Sequence, residues 1–98
     1  MTSYRVSVPP QLADAIRHLS PAVKRDTKQA LRILSRDPHA GLALERELKG
    51  LWKYRIRSFR MVYRMVTEDR LIQVMAVGPR DTVYDVVRAF LKIPQGAR

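Results

Sequence analysis

The sequence predicts an α+β domain in which helices pack on a small, largely antiparallel, twisted sheet. Apolar residues alternate with polar ones near the N-terminus and between positions 50 and 66, as in half-buried strands. They recur every three or four positions in other segments, as in amphipathic helices. The predicted order is β-α-α-β-β-β-α. Because 98 residues provide for one hydrophobic core, we expect residues 1–98 to form a single domain.

The residue pattern in the first third of the chain predicts one strand and two helices. Residues 4–8 alternate and end at Pro9-Pro10, since proline cannot donate to a strand ladder. A short helix follows, and a second runs from Ser20-Pro21, with serine as the N-cap, to Asp37-Pro38. The two form an αα-hairpin because so few residues separate them. Its outward side is interpreted as a solvated surface rather than a nucleic-acid contact, and carries Arg17, Lys24, Arg25, Lys28, Arg32 and Arg36.

Residues 50–66 predict a β-hairpin that turns at Arg57-Ser58, after a loop over residues 39–49 anchored by Leu42, Leu44 and Leu48. Side chains of successive strand residues point to opposite faces, so one face of the hairpin is apolar and packs on a core. Trp52 and Tyr54 are assigned to that core. The opposite face is expected to gather four arginines, which are Arg55, Arg57, Arg60 and Arg64.

The last third predicts an interior strand and a final helix. Residues 71–77 are almost continuously apolar, which indicates a strand covered on both faces. Gly78-Pro79 ends that strand, and a helix with an apolar stripe begins at Asp81 or Thr82 and extends to about Leu91. Residues 94–98 are expected to be a disordered tail.

Composition narrows the possible functions. The chain has 19 Lys and Arg against nine Asp and Glu, a formal net charge of +10, which favours nucleic acid, an anionic surface or an acidic protein as partner. It has no cysteine, and its acidic residues lack metal-ligand spacing, so neither a thiolate nor a metal cofactor is expected. The N-terminus lacks the apolar core of a signal peptide, and no apolar run approaches membrane-spanning length, so we expect a cytoplasmic protein.

The side chains that remain available for chemistry are arginines and a few tyrosines. The chain has no phosphate-binding glycine loop and no nucleophile elbow, and neither histidine has a nucleophile beside it. Arginine binds phosphate oxygens through a rigid fork and stays charged. In phosphodiester cleavage such cations stabilise the extra negative charge of the transition state. A proton acceptor must come from elsewhere, and Tyr84, near Arg80, is the candidate.

Several short motifs together resemble the RelE/ParE toxin superfamily along nearly the whole chain. They are Leu48-Lys-Gly-Leu51, Tyr54-Arg-Ile-Arg57, Phe59-Arg-Met-Val-Tyr63, Val77-Gly-Pro-Arg80 and Asp81-Thr-Val-Tyr84. The resemblance implies the toxin of a toxin–antitoxin pair, bound and neutralised by an acidic antitoxin. RelE-type members cleave mRNA on the ribosome by attack of the RNA 2′-hydroxyl on the adjacent phosphate. ParE-type members share the fold and inhibit DNA gyrase.

The resemblance also assigns roles to individual residues. Arg55 and Arg57 occupy positions where RelE-like enzymes place basic residues, often lysines, around the scissile phosphate. Arg60 matches the arginine after the aromatic residue of the next strand. Arg80 matches the arginine after the Val-Gly step, and Tyr84 matches the tyrosine of the last helix. Arg60, Arg80 and Tyr84 are therefore the expected catalytic residues, and Arg55 and Arg57 the expected substrate-binding residues.

Three functional classes remain open from the sequence. The first is a ribosome-dependent mRNA endoribonuclease, which needs Arg60, Arg80 and Tyr84. The second is a gyrase inhibitor, which does not need them. The third is a basic, non-catalytic module that binds nucleic acid or a protein partner. For Arg55, Arg57, Arg60 and Arg80, ordinary surface charge is the competing interpretation, and for Tyr84 it is half-buried packing. For Arg64, which has no counterpart in the family pattern, a solvated surface is the preferred interpretation.

Overall fold

A computed structural model describes residues 3–92, except for the side chains of Phe90 and Lys92. The predicted tail at residues 94–98 lies outside this range. The predicted α+β class is confirmed, and all seven predicted elements are present. The elements are β1 (Arg5–Ser7), α1 (Pro10–Arg17), α2 (Pro21–Arg36), β2 (Leu42–Ala43), β3 (Leu51–Ile56), β4 (Phe59–Val66), β5 (Leu71–Pro79) and α3 (Val83–Lys92).

The strands within the described range form one sheet in the order β1-β5-β4-β3-β2. β1 pairs with β5 in parallel, and the other neighbours are antiparallel. β5 is the interior strand that its apolar sequence predicts. Val62 pairs with Ala76 but Tyr63 pairs with Val74, so the ladder between β4 and β5 contains a bulge. A bulge inserts an extra residue, so the alternation of side chains along β5 is interrupted there. Ile72 and Val74 therefore belong to the apolar cluster on one face of the sheet, and Ala76 belongs to the cluster on the other face.

Two apolar clusters cover the two faces of the sheet. Helix α2 packs on one face, where Leu34 lies against Tyr63, Ile72 and their neighbours, all buried. Helix α3 packs on the other face, where Val83 and Val87 lie on a second cluster of Leu48, Leu51, Val62 and Ala76. The sheet is therefore the middle of three layers, because both of its faces carry apolar residues along β4 and β5.

Three local expectations differ from the structure. The predicted loop over residues 39–49 contains the short edge strand β2 and two turns of 3-10 helix. Leu42 does not anchor this loop, since its side chain is 66% exposed, whereas Leu48 is buried. Ser20 stands at the start of α2 but makes no side-chain capping bond, so Pro21 at the first helical position is the remaining local signal for that helix start.

Candidate nucleic-acid site

Arg55 of β3 and Arg60 of β4 are directly opposite each other, next to the turn of the hairpin. Arg55 Nε lies 3.4 Å from the carbonyl oxygen of Arg57, and Arg60 Nη1 lies 3.2 Å from the same oxygen. Arg60 Nη1 also donates to the carbonyl oxygen of Phe59 at 2.9 Å. The two guanidinium groups are thus held side by side by backbone carbonyls, without a carboxylate between them.

Arg57 is in the turn itself and not on the strand face that its sequence position suggested. Its φ of 57° is in the left-handed region, where glycine is the usual residue, because this short turn needs a positive φ. Its Nε donates to Asp26 Oδ2 of α2 at 2.6 Å, with both side chains about half exposed. Since α2 packs on the other face of the sheet, this ion pair ties Arg57 to that helix, although Arg57 also borders the cleft described next.

The loop after β5 closes the site on its other side. Arg80 N–H donates to the carbonyl oxygen of Ser58 at 3.1 Å, so this loop is tied directly to the hairpin turn. A surface cleft of about 490 Å³ lies between them. We call it the arginine cleft, and it is lined by Arg55, Arg57, Ser58, Arg60, Pro79, Arg80 and Asp81. Four of the five predicted site residues are therefore brought to one cleft.

Tyr84, the fifth predicted residue, does not line the arginine cleft. Its ring packs against the apolar cluster beneath α3, and its hydroxyl is buried without a hydrogen-bond partner in the described chain. A buried, unpaired hydroxyl costs roughly 1–3 kcal/mol of stability. The structure thus buries this hydroxyl near the start of α3, and Tyr84 is not among the residues that line the arginine cleft.

The expected face of four arginines is divided in the structure. The centre of that face is apolar, and α3 covers Val62 and Ala76 there. Arg64 does not line the arginine cleft: its Nε donates to Gln73 Oε1 at 3.0 Å, and its side chain borders a separate depression together with Leu91 of α3. The structure therefore does not gather all four arginines in one place, because Arg57 is in the turn and α3 covers the part of the face between Arg60 and Arg64.

Lys53 is a basic residue of this face that the sequence analysis missed. It pairs with Val62, so it lies two positions from Arg55 along the same side of β3. A second depression of about 460 Å³, the edge cleft, adjoins the arginine cleft and shares Arg55 and Arg60 with it. Its lining also includes Ala40, Gly41, Leu42, Lys53 and Tyr54. The alternation of residues 51, 53 and 55 already contained the signal, since it assigns Lys53 and Arg55 to one face.

A buried tyrosine supports the wall of the edge cleft. Tyr63 is fully buried, and its hydroxyl donates to the carbonyl oxygen of Pro38 at 2.6 Å. Burial raises the pKa of Tyr63 to about 12, although a hydrogen bond from the Gly41 backbone acts in the opposite direction. At Gly41 a Cβ atom would lie 2.4 Å from Lys53 O and 2.6 Å from Tyr63 Oη, so only glycine fits there.

The chemistry available at the arginine cleft is that of fixed cations beside one carboxylate. Within residues 3–92, no three His, Asp or Glu side chains are grouped so that they could hold a metal ion. Arg55, Arg60 and Arg80 are suited to bind a phosphate group and to stabilise added negative charge on it. Such a site fits a phosphodiester better than it fits a neutral substrate.

Comparison with known proteins gives the family. A family model described as the ParE toxin of type II toxin–antitoxin systems (parDE) matches residues 10–84. The chain belongs to the RelE/ParE toxin family. This toxin is also 32% identical over 65 residues to a putative RelE-like toxin of Escherichia coli, a match that covers 64% of this chain and 68% of that protein.

Solved structures share the fold of the toxin. The toxin–antitoxin complex RelBE2 of Mycobacterium tuberculosis matches with a TM-score of 0.72 at 26% identity, over 81% of this chain and 100% of that one. A double arginine-to-alanine mutant of E. coli RelE in the free state matches with a TM-score of 0.73 at 22% identity, over 95% of this chain and 100% of that one. Among the described residues of the toxin, no helix is long and apolar enough to cross a membrane.

Proposed function

We propose that the toxin is a ribosome-dependent mRNA endoribonuclease that inhibits translation. The observation that supports this activity is the convergence of Arg55, Arg60 and Arg80 on one open cleft. Arg55 and Arg60 come from paired strands, and Arg80 comes from a loop bonded to the turn between those strands. A rigid set of cations of this kind fits a bent RNA phosphate, because little of the arrangement has to be ordered when substrate binds.

The proposed reaction is attack of an RNA 2′-hydroxyl on the adjacent phosphate, with departure of the 5′-oxygen of the next nucleotide. Arg60 and Arg80 stabilise the added charge on the phosphate oxygens in the transition state. Arg55 and Arg57 bind the substrate phosphates, and Arg57 can do so only after its bond to Asp26 is broken or shared. Removing one such donor from a site of this type typically lowers the rate by about 10²–10³-fold.

The role of Tyr84 as proton acceptor stays a prediction. Its hydroxyl is buried and unpaired in the described chain, so participation requires the start of α3 to move when RNA binds. An unpaired polar group is a source of strain that such a movement would relieve. Comparison of Tyr84→Phe with the unchanged toxin tests this role.

The proposed partners follow from the family and from charge. We infer that an acidic antitoxin neutralises the toxin, since the net charge of +10 favours an acidic protein and the M. tuberculosis relative forms a complex with its antitoxin. The proposed targets are the ribosome and mRNA, and we therefore propose that the toxin acts in the cytoplasm. We propose that it uses no cofactor.

Inhibition of DNA gyrase is the second candidate function. The matched family is described as the ParE toxin, and this is the observation that favours it. A gyrase inhibitor needs a binding surface for a protein and does not need a proton acceptor beside the arginines, so the buried hydroxyl of Tyr84 does not count against it.

One experiment with two parts separates these functions. Purified toxin is incubated with programmed ribosomes, and mRNA ends are mapped by primer extension. In parallel, the same preparation is added to a gyrase supercoiling assay. Cleavage on ribosomes that is absent in Arg60→Ala supports the nuclease, whereas loss of supercoiling with intact mRNA supports the gyrase inhibitor. Inactivity in both assays would support a non-catalytic binding module and overturn the proposed function.

A further inference from the structure

Asp81 is the one carboxylate among the residues that line the arginine cleft. Four arginines line the same cleft from four elements: Arg55 from β3, Arg57 from the turn, Arg60 from β4 and Arg80 from the loop that also carries Asp81. Within residues 3–92, the Asp81 side chain has neither a hydrogen bond nor an ion pair, even with Arg80 next to it. Its exposed carboxylate is therefore free to contact a ligand in the cleft.

A carboxylate at this position opposes simple phosphate binding, because it repels the anion that the arginines attract. Asp81 therefore does not serve to bind the phosphate, and any function of its carboxylate in the cleft must be a different one. Attack by a 2′-hydroxyl needs a group that accepts its proton within hydrogen-bond reach. Tyr84 offers a buried hydroxyl outside the cleft, whereas Asp81 offers acceptor oxygens inside it.

We propose that the Asp81 carboxylate accepts the proton of the attacking RNA 2′-hydroxyl in the arginine cleft. This inference rests on the proposed nuclease function, and it assigns to Asp81 the proton that the sequence analysis assigned to Tyr84. As the proton passes to Asp81, the 2′-oxygen forms a bond to phosphorus and the bond from phosphorus to the 5′-oxygen breaks. The 5′-oxygen takes a proton from water, and protonated Asp81 returns its proton to solvent. The products are a 2′,3′-cyclic phosphate and a 5′-hydroxyl, and no oxidant or metal is consumed.

The test measures single-turnover cleavage on programmed ribosomes and, separately, the affinity for an RNA with a 2′-deoxy nucleotide at the cleavage site. Asp81→Asn keeps the shape of the side chain but replaces the basic carboxylate with an amide that cannot take up the proton. The cleavage rate should therefore fall by about 10²–10⁴-fold. Affinity for the uncleavable RNA should stay equal or increase, because one repulsive charge is lost. Asp81→Glu should restore part of the rate.

Asp85→Asn is the matched control. It removes the same charge four positions later, but Asp85 is bonded to Arg88 and does not line the cleft, so the rate should be unchanged. The pH profile gives a further readout. The residual rate of Asp81→Asn should depend more steeply on pH than the rate of the unchanged toxin, because hydroxide then has to replace the carboxylate as the base.

Four results would overturn this inference. They are a wild-type cleavage rate for Asp81→Asn, an equal loss of rate in Asp85→Asn, a lower rate with an unchanged pH profile, and weaker binding that accounts for the whole effect. Each of these leaves the nuclease function standing, since the unchanged toxin still cleaves. If the unchanged toxin does not cleave mRNA on ribosomes at all, the proposed function fails first and this inference fails with it.

Discussion

Arg55 and Arg60 face each other across the β3–β4 hairpin, and both donate to the same backbone oxygen, that of Arg57. Like charges directly opposite each other destabilise a sheet. Here the cost is offset by the shared carbonyl acceptor, which also fixes the direction of both guanidinium groups. A phosphate placed between them would relieve the repulsion, so this pair is better suited to the bound state than to the free one.

Arg60→Ala and Arg80→Ala should each relieve the growth arrest caused by expression of the toxin. The reason is that each change removes one cation that stabilises the transition state, worth about 10²–10³-fold in rate. Growth after induction and mRNA cleavage on ribosomes are the measurements. Arg64→Ala is the control, because Arg64 lies on the same strand as Arg60 but borders a different depression. Full toxicity of both cleft variants, with correct folding, would contradict the nuclease.

Tyr84→Phe should increase stability by on the order of 1 kcal/mol, because it removes a buried hydroxyl that has no partner in the described chain. Urea unfolding measures this change. Cleavage by the same variant then separates two roles. A steep fall in rate in a more stable protein indicates that the hydroxyl acts in the reaction, whereas an unchanged rate leaves Tyr84 as a packing residue.

The free energy of unfolding of the toxin should fall in alkaline solution, because the buried Tyr63 hydroxyl loses its proton there. The pKa of Tyr63 is raised from 10.0 to about 12 by burial, so the folded state holds its proton more tightly than the unfolded state. This difference in pKa stabilises the folded state by roughly 2–3 kcal/mol. The stabilisation is fully present below pH 10 and is lost as the pH rises to about 12. Tyr63→Phe isolates this group from the titration of lysines.

Urea unfolding of Tyr63→Phe and the unchanged toxin, across the same pH range, gives the comparison. At neutral pH the variant should be less stable by about 1 kcal/mol, since the bond to Pro38 is lost. The difference between the two proteins should shrink and then reverse towards pH 12. Parallel stability curves at all pH values would show that the pKa of Tyr63 is the same in the folded and unfolded states, which would contradict this prediction.

Gly41→Ala should destabilise the toxin by about 1–3 kcal/mol, because the new methyl group would overlap the Lys53 carbonyl and the Tyr63 hydroxyl. Gly78→Ala is the matched control. A Cβ there meets Val83 at an ordinary 3.7 Å, so little change is expected. Thermal unfolding of both variants measures the difference. Equal stability of the two would mean that the Pro38–Gly41 segment shifts freely, contrary to its bond with Tyr63.

Association with an acidic antitoxin should slow as salt is added. The toxin carries a net charge of +10, so attraction between opposite charges speeds the encounter, and salt screens that attraction. Stopped-flow measurements at several ionic strengths give the association rate, with the dissociation rate as the internal control. A rate of association that does not depend on salt would rule out electrostatic steering.

The fold could be predicted from the sequence because its signals are local. The alternation in residues 50–66 gave β3, β4 and the turn at Arg57-Ser58, and the continuous apolar run gave the interior strand β5. Proline positions gave the starts of α1 and α2. The edge strand β2 was missed, since two residues carry too little pattern and depend on the pairing of Leu42 with Lys53.

The site was only partly predictable. Strand period placed Arg55 and Arg60 together, and the family resemblance added Arg80. Arg57 was misplaced because its direction is decided by Asp26, 31 residues earlier in the chain. Asp81 received no role, because nothing local shows that its loop is bonded to the hairpin turn.

The sequence by itself determined the order of elements, the excess of positive charge and the common strand face of Arg55 and Arg60, since each depends on neighbours within a few residues. Only the tertiary structure decided that α3 covers the middle of that face, that Tyr84 points its hydroxyl inward, and that one carboxylate lies among the arginines. The physical reason is that these contacts join residues far apart in the chain, and they exist only once the helices have packed on both sides of the sheet.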